Sequence, residues 1–367
     1  MKVVLSGLDL SDAAQKVSKA IASKTVNPAL ECIKITAKGD YLTLAATDME
    51  FFIQKMVKAE VFMEGEILVK GKYFTEFIQK LDKEQVELAV LDQGKLTVKY
   101  TDAESSMPAL DAKEFPAVKT ETGKNNITLK RGELKELIAK VAFSCSTDDT
   151  RPILKGALLE VKDNVVTAVA LDGFRLALCK KHLDDSTGDM KAIVPARILM
   201  EISRFLDESE DSVTLSFQEN GMVVEIEDTV IYGRLLEGTF IDYKQVIPEN
   251  FITNLVVDKN QMENGISRAS ICARGDKNNL IKFDIKEKSI SITAETEIGR
   301  VNENIPINLV GKDLNIAFNG RYVAEALKAI DDEYIKIYFN NEVSPCVIKP
   351  CSSEEYLYLI LPVRITR

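Results

Sequence analysis

Side chains able to carry covalent or acid–base chemistry are few in this sequence, and their spacing does not gather them. His182 is the one histidine among 367 residues. A zinc site built from imidazoles needs several of them, and a Ser–His–Asp or Cys–His nucleophile would have to recruit His182. That residue sits in KKHLDDS, a charged stretch where an exposed loop histidine is expected. Cys32, Cys145, Cys179, Cys272, Cys346 and Cys351 are scattered, contain no CxxC, and read as small buried hydrophobes. Gly71-Lys72, Gly123-Lys124 and Gly311-Lys312 each lack the upstream Gly and the following Ser or Thr of a phosphate cradle. Asp48 and Asp172 invite a catalytic carboxylate pair, yet they occupy the same local pattern 124 residues apart. A position placed by a repeat is structural: an aspartate holding a turn between strands through its side-chain oxygens. The expectation is a protein with no catalytic residue, no metal and no cofactor.

That recurrence organises the whole chain. LTLAATDMEFF around Asp48, VTAVALDGFRLA around Asp172 and ISITAETEIGRV around Glu297 are spaced 124 and 125 residues apart. Helical patterns follow each of them, KYFTEFIQKLD, ARILMEISRFLD and GRYVAEALKAID, ending at Asp82, Asp207 and Asp331. Others precede them, from Leu10, Leu134 and Met262. A period this long is a domain and not a solenoid unit. Three domains are predicted, 1–120, 127–247 and 251–367, joined by the polar, Pro- or Gly-bearing stretches PAVKTETGKNN and VIPENFITN. Each opens with a strand (MKVVLS, NNITLK, TNLVVD), then a helix, paired strands, a second helix and more strands. Leu134, Leu137, Ile138 and Val141 share one helix face, as do Phe74, Phe77, Ile78 and Leu81. Asp92-Gln93-Gly94-Lys95 and Glu219-Asn220-Gly221-Met222 mark hairpins. The fold class is α+β, three copies of a two-helix domain on an antiparallel sheet.

Composition sets the class and charge sets the partner. Apolar residues at 46% and charged residues at 28% describe an ordinary globular chain. No apolar run reaches the roughly 18 residues of a membrane span. MKVVLSGLDLSDAAQ carries one Lys and turns acidic by Asp9, unlike a secretory signal, so a reducing cytoplasm is expected. Net charge is −10, but all six helical segments (11–24, 70–83, 130–140, 195–206, 261–274 and 319–328) are net positive. Together they carry +9, which leaves −19 elsewhere. If the helices share one side of a curved assembly, that side is basic and suits phosphates without reading bases. A DNA-processing enzyme would need a metal–carboxylate cluster or nucleophile–base pair that is not visible. An acidic scaffold unrelated to DNA remains the other alternative.

The sequence resembles the bacterial sliding clamps, the β subunit of DNA polymerase III, over its full length. The resemblance rests on NPALECIKI and TDME, TRPILKGALLE, LDGFRLA, IVPARILMEI, LLEGTFIDYKQVIP and the terminal YLILPVR, in that order and spacing. It implies the DNA clamp fold, closed head to tail as a homodimeric ring around double-stranded DNA, with helices lining the hole. It also implies a cytoplasmic, non-catalytic processivity factor that tethers the DNA polymerase III α subunit, the clamp loader and other proteins carrying a clamp-binding motif. No membrane partner is implied.

By position, the resemblance places a partner-peptide groove between the second and third domains. Its lining would be Leu154, Leu171, Gly173, Phe174, Arg175 and Leu176, with Ile241 and Val246 opposite. Val343, Leu359, Leu361, Pro362, Val363 and Arg364 would complete it. Leu171, Phe174, Ile241 and Gln245 depart from the family's usual Thr, His, Pro and Arg, which implies a more apolar groove; Ile365-Thr366-Arg367 runs past its end. DNA contacts would come from Lys24, Lys72, Arg151, Pro152 and Arg197. The dimer interface would set Lys72, Phe74, Ile78 and Met107 against Ile271, Cys272, Glu297 and Glu303.

Overall fold

Each repeat opens with a strand whose end starts the first helix. Ser6 accepts a hydrogen bond from Asp9 N, and Asp258 accepts one from Gln261 N, so side-chain oxygens satisfy free helical N–H groups. The computed structural model describes residues 1–364 apart from 82, 92, 93, 275, 277 and 298. It carries α1 (Gly7–Val17) and α2 (Gly71–Ile78), α3 (Arg131–Val141) and α4 (Ala196–Ser203), then α5 (Lys259–Ala273) and α6 (Gly320–Lys328). The two faces expected from spacing are inward: Leu134, Leu137, Ile138 and Val141 are buried, as are Phe74, Ile78 and Leu81, with Phe77 half-buried. Asp82, the Asp92-Gln93 turn and Ile365-Thr366-Arg367 lie outside the described residues.

The strands of every repeat fall into two antiparallel groups, which belong to different sheets in the second and third repeats. In the first repeat one group contains Cys32–Lys38, Tyr41–Thr47, Phe51–Lys58 and Gly65–Lys70, the other contains the opening strand and Ala103–Leu110, and the two join edge to edge through Leu68 with Leu110 and Val69 with Ala109. The sequence hid this division, because strand alternation shows which face is buried but not which edges meet. The edges join the repeats. Phe51–Lys58 pairs with Thr229–Arg234 of the second repeat, setting Lys55 opposite Thr229. Arg175–His182 pairs with Tyr356–Ile360 of the third, setting Cys179 opposite Tyr356. The same sheet-to-sheet junction is therefore used twice. Its remaining halves are the outer edges of Gly299–Pro306 in the third repeat and of Ala103–Leu110 in the first. Among the described residues, Gly299–Pro306 pairs only with Ser289–Thr296, and residues 103–108 only with Lys95–Tyr100.

One apolar core runs under all six helices through all three repeats. Phe74 and Ile78 are wholly inside it and Cys272 is 5% exposed, so these three are core residues and not the interface contacts expected, while Met107, 3% exposed, turns its side chain into the same core from the Ala103–Leu110 edge. Helical spacing cannot tell a core face from an interface face. Phe74→Ala would cost about 3–5 kcal/mol of fold stability. Five cysteines are buried as expected, and Cys351 is exposed. Burial pushes the thiols of Cys145, Cys179 and Cys346 up to about 12. His182 is exposed at a strand end. No helix among the described residues is long and apolar enough to cross a membrane.

Candidate functional site

Asp48 and Asp172 hold turns, as their place in the repeat predicts. Asp48 Oδ1 accepts from Glu50 N and Phe51 N at 3.0 and 2.8 Å, and Asp172 Oδ1 accepts from Phe174 N and Arg175 N at 2.9 and 3.0 Å. Glu297 is not the third member. The hairpins pair Thr47 with Phe52, Leu171 with Leu176 and Glu295 with Arg300, so Thr296 takes the aspartate's place. Beyond the second turn the strand alternates. Ala177 and Cys179 enter the helix-side core, and Leu176 and Leu178 face the other way.

On that outer face Leu176 and Leu178 join Leu154, Leu158, Val169, Leu171, Ile193, Tyr243, Val347 and Leu359 in a separate apolar cluster. The same hairpin registers test whether this is ordinary core. Where the second repeat has Leu158, Val169 and Leu178, the first has Lys34, Ala45 and Gln54, and the third has Lys282, Thr293 and Asn302. A face needed for folding would be apolar in all three repeats. This one is apolar once, at the second–third junction, as a binding surface is.

Exposed apolar residues rim it: Phe174, Ile241, Val246, Val343 and Leu361. The C-terminal segment is laid across the junction, Leu361 N donating to Phe174 O and Val363 N to Ala317 O, both at 2.8 Å. Pro362 and Val363 are half-buried and Arg364 is exposed. Phe174 stacks on Tyr322 with centroids 6.2 Å apart; the sequence reading missed Tyr322, whose only signal was its place on α6. Gly173 adopts φ +93°, and a Cβ there would come 2.6 Å from Arg151 Nη1. Beside Ile241 a cleft of about 560 Å³ opens between 191–193 and the 235–244 loop, sharing Leu158, Ile193 and Tyr243 with the cluster. Glu160 lies in it. Burial would raise its carboxyl, but Lys191, the Tyr243 hydroxyl and Lys244 outweigh this and hold it at about 2.

Arg175 does not line the groove. It is buried on the helix side, where its guanidinium meets Asp172, Glu325 and the Phe143 carbonyl. Strand alternation turns it inward, opposite to Leu176 and Leu178.

The helix side carries the basic residues, and most are already paired. Arg197 Nη1 lies 2.6 Å from Asp48 Oδ2 and Nη2 donates to Lys19 O at 3.1 Å, so Arg197 seals the first–second junction instead of awaiting phosphate. Arg151 is tied to Asp148 and to the Asp172 carbonyl, next to Gly173. Its charge is answered within the chain, and neighbouring Pro152 only opens a short 3₁₀ turn. Sequence counting could not bring Asp48 to Arg197, 149 positions away. Lys24 and Lys72 are exposed and form no ion pair among the described residues; neither do Lys19, Lys80, Arg274 and Lys328, which the reading did not single out. Among the described residues no group of three or more His, Cys, Asp or Glu side chains is placed to hold a metal ion.

Comparison with known proteins agrees with this architecture. Family models of the DNA polymerase III beta subunit match in three consecutive pieces: the N-terminal domain over residues 1–119, the central domain over 128–242 and the C-terminal domain over 244–364. The chain is 32% identical over 362 residues to the beta sliding clamp of Halalkalibacterium halodurans, covering 95% of each. It is 31% identical to that of Staphylococcus aureus, covering 94% of each. Among solved structures, the DNA polymerase sliding clamp from Bacillus subtilis superimposes with a TM-score of 0.96 at 30% identity. The DNA polymerase III beta subunit from Thermotoga maritima gives 0.92 at 27%; both cover the full length of both chains.

Proposed function

This chain belongs to the DNA polymerase III beta subunit family, the sliding clamps, and from that premise we propose how it encloses DNA and holds its partners. It is a non-catalytic clamp. Two copies close head to tail, because a heterologous contact forms a ring when its rotation closes. The observation that carries this is the twice-used sheet junction with one half left over at each end. Registers predict the third use. Glu303 stands where Lys55 and Cys179 stand, and Ala103 where Thr229 stands opposite Lys55, so Glu303 of one copy meets Ala103 of the other. Lys72 stands where Arg197 stands on α4, and so faces the turn carrying Thr296 and Glu297. Ile271, 59% exposed, occupies the place of Phe143, which packs on Tyr358 at 5.5 Å across the second–third junction.

Duplex DNA passes along the helix side, attracted without sequence preference by Lys24, Lys72 and the unpaired cations near them. Partner peptides, including those of the polymerase α subunit, anchor in the apolar groove over Leu154, Leu171, Leu176 and Leu359, gripped by Phe174 and Leu361. The three domains are 1–120, 127–247 and 251–367, and the site of action is the cytoplasm. Sedimentation equilibrium at micromolar concentration tests the assembly. Twice 40.8 kDa supports it, and a monomer contradicts it.

A further inference from the structure

We infer that Glu325, on α6 and across the sheet from the groove, is a positioning residue for peptide binding; this rests on the groove proposed above. Its Oε1 accepts from Arg321 Nε at 2.8 Å and its Oε2 meets Arg175 Nη1. Arg175 passes the constraint outward. Nε donates to Asp172 Oδ2 at 3.1 Å and Nη2 to Phe143 O at 2.6 Å, with the guanidinium between the Phe143 and Tyr322 rings. The other Asp172 oxygen fixes the turn bearing Phe174. One helix carboxylate thus sets a guanidinium, which sets a turn, which sets the groove's aromatic rim. The two arginines together hold the Glu325 carboxyl below its ordinary range in spite of burial.

The first–second junction supplies the contrast. There Phe51 replaces Arg175, Arg197 holds Asp48 directly, and Glu201, the counterpart of Glu325, buries Oε2 without a hydrogen-bond partner among the described residues. The outer face at that junction is polar. The three-part relay occurs where the apolar groove occurs.

Removing Glu325 leaves Arg175 buried with one carboxylate in place of two, and the turn loses its fixed orientation. The test is fluorescence anisotropy of a labelled peptide from the DNA polymerase III α subunit on the intact dimer. Glu325→Gln should raise Kd about tenfold, with unchanged dimer mass and little change in Tm, whereas Arg204→Ala, which frees Glu201 at the first–second junction, should stay within twofold. In an Arg175→Met background Glu325→Gln should add nothing to Kd, since the relay is already cut; a merely structural loss would add. Arg175→Lys, which keeps the charge but not the planar fork, should weaken binding similarly and serves if Glu325→Gln fails to fold. A Kd for Glu325→Gln within twofold of wild type overturns the inference, as does an equal loss in the Arg175→Met background. Phe174→Ala separates the two readings. If it weakens binding while Glu325→Gln does not, only the relay fails; if neither does, the groove fails with it.

Discussion

At Glu160 a single carboxylate fastens the cleft beside the groove. Its carboxyl lies near 2 against an ordinary 4.5, so the folded state binds its proton less readily than the unfolded chain. The stabilisation is complete above about 4.5 and disappears as pH falls toward 2. Thermal melts across that window should show wild type losing Tm with acid, and Glu160→Gln losing less while starting lower near neutral pH. Parallel acid curves for the two proteins would remove Glu160 from the account. Phe174 works differently, being 55% exposed. Phe174→Ala should weaken peptide binding about tenfold, about 1.4 kcal/mol, with Tm unchanged; a fall in Tm that matches the lost affinity would make it a core residue. At this scale the sequence was legible where a residue's neighbours in the chain decide its role, as at Asp48 and Asp172. It was not legible where the partner is distant. Arg197 and Arg151 read as phosphate contacts and Arg175 as groove lining, yet Asp48 takes Arg197, the Asp172 carbonyl takes Arg151 beside Asp148, and Glu325 and the Phe143 carbonyl take Arg175.

Elements were more legible than their edges. Six helices and three opening strands follow from apolar spacing, and the α+β repeat follows from them. Which strand edge meets which does not, since the pairing is set by contacts more than 170 residues apart, such as Lys55 with Thr229. The same limit assigned Phe74, Ile78 and Cys272 to an interface, though their side chains lie in the core. Ile271, exposed on α5, gives the element-scale prediction. Ile271→Asp places a charge where the repeat calls for an apolar contact, and should weaken dimerisation at least tenfold by sedimentation while far-UV circular dichroism stays unchanged. Lys72→Glu removes an exposed pair worth about 0.2–1 kcal/mol, so its effect should be smaller, and Glu297→Lys in the same chain should recover it. A dimer unaffected by Ile271→Asp would put the contact elsewhere.

For the whole molecule, the balance of charge decides how DNA is held. Arg197, Arg204, Arg268 and Arg321 on the helices are spent on internal carboxylates, which leaves few phosphate partners in a chain of net charge −10. Near 0.15 M ionic strength the Debye length is about 8 Å, so charges across a wide, wet hole act weakly. Each phosphate contact contributes about −0.9 to the slope of log affinity against log salt. Lys19→Glu with Lys24→Glu, which touch no expected dimer contact, should therefore flatten the slope for a short linear duplex by about 2 per copy. An unchanged slope would clear those lysines of any phosphate contact. Weak contacts leave enclosure as the means of retention, and one measurement tests that directly. Labelled protein is loaded on a nicked circular DNA, and the fraction co-eluting with DNA in gel filtration is followed before and after a restriction enzyme cuts the circle. Enclosure predicts stable co-elution on the circle, for wild type and for the double lysine variant alike, and loss of both on linearisation. Wild-type protein that stays with the DNA after the cut would show that contacts hold it, and would contradict the ring.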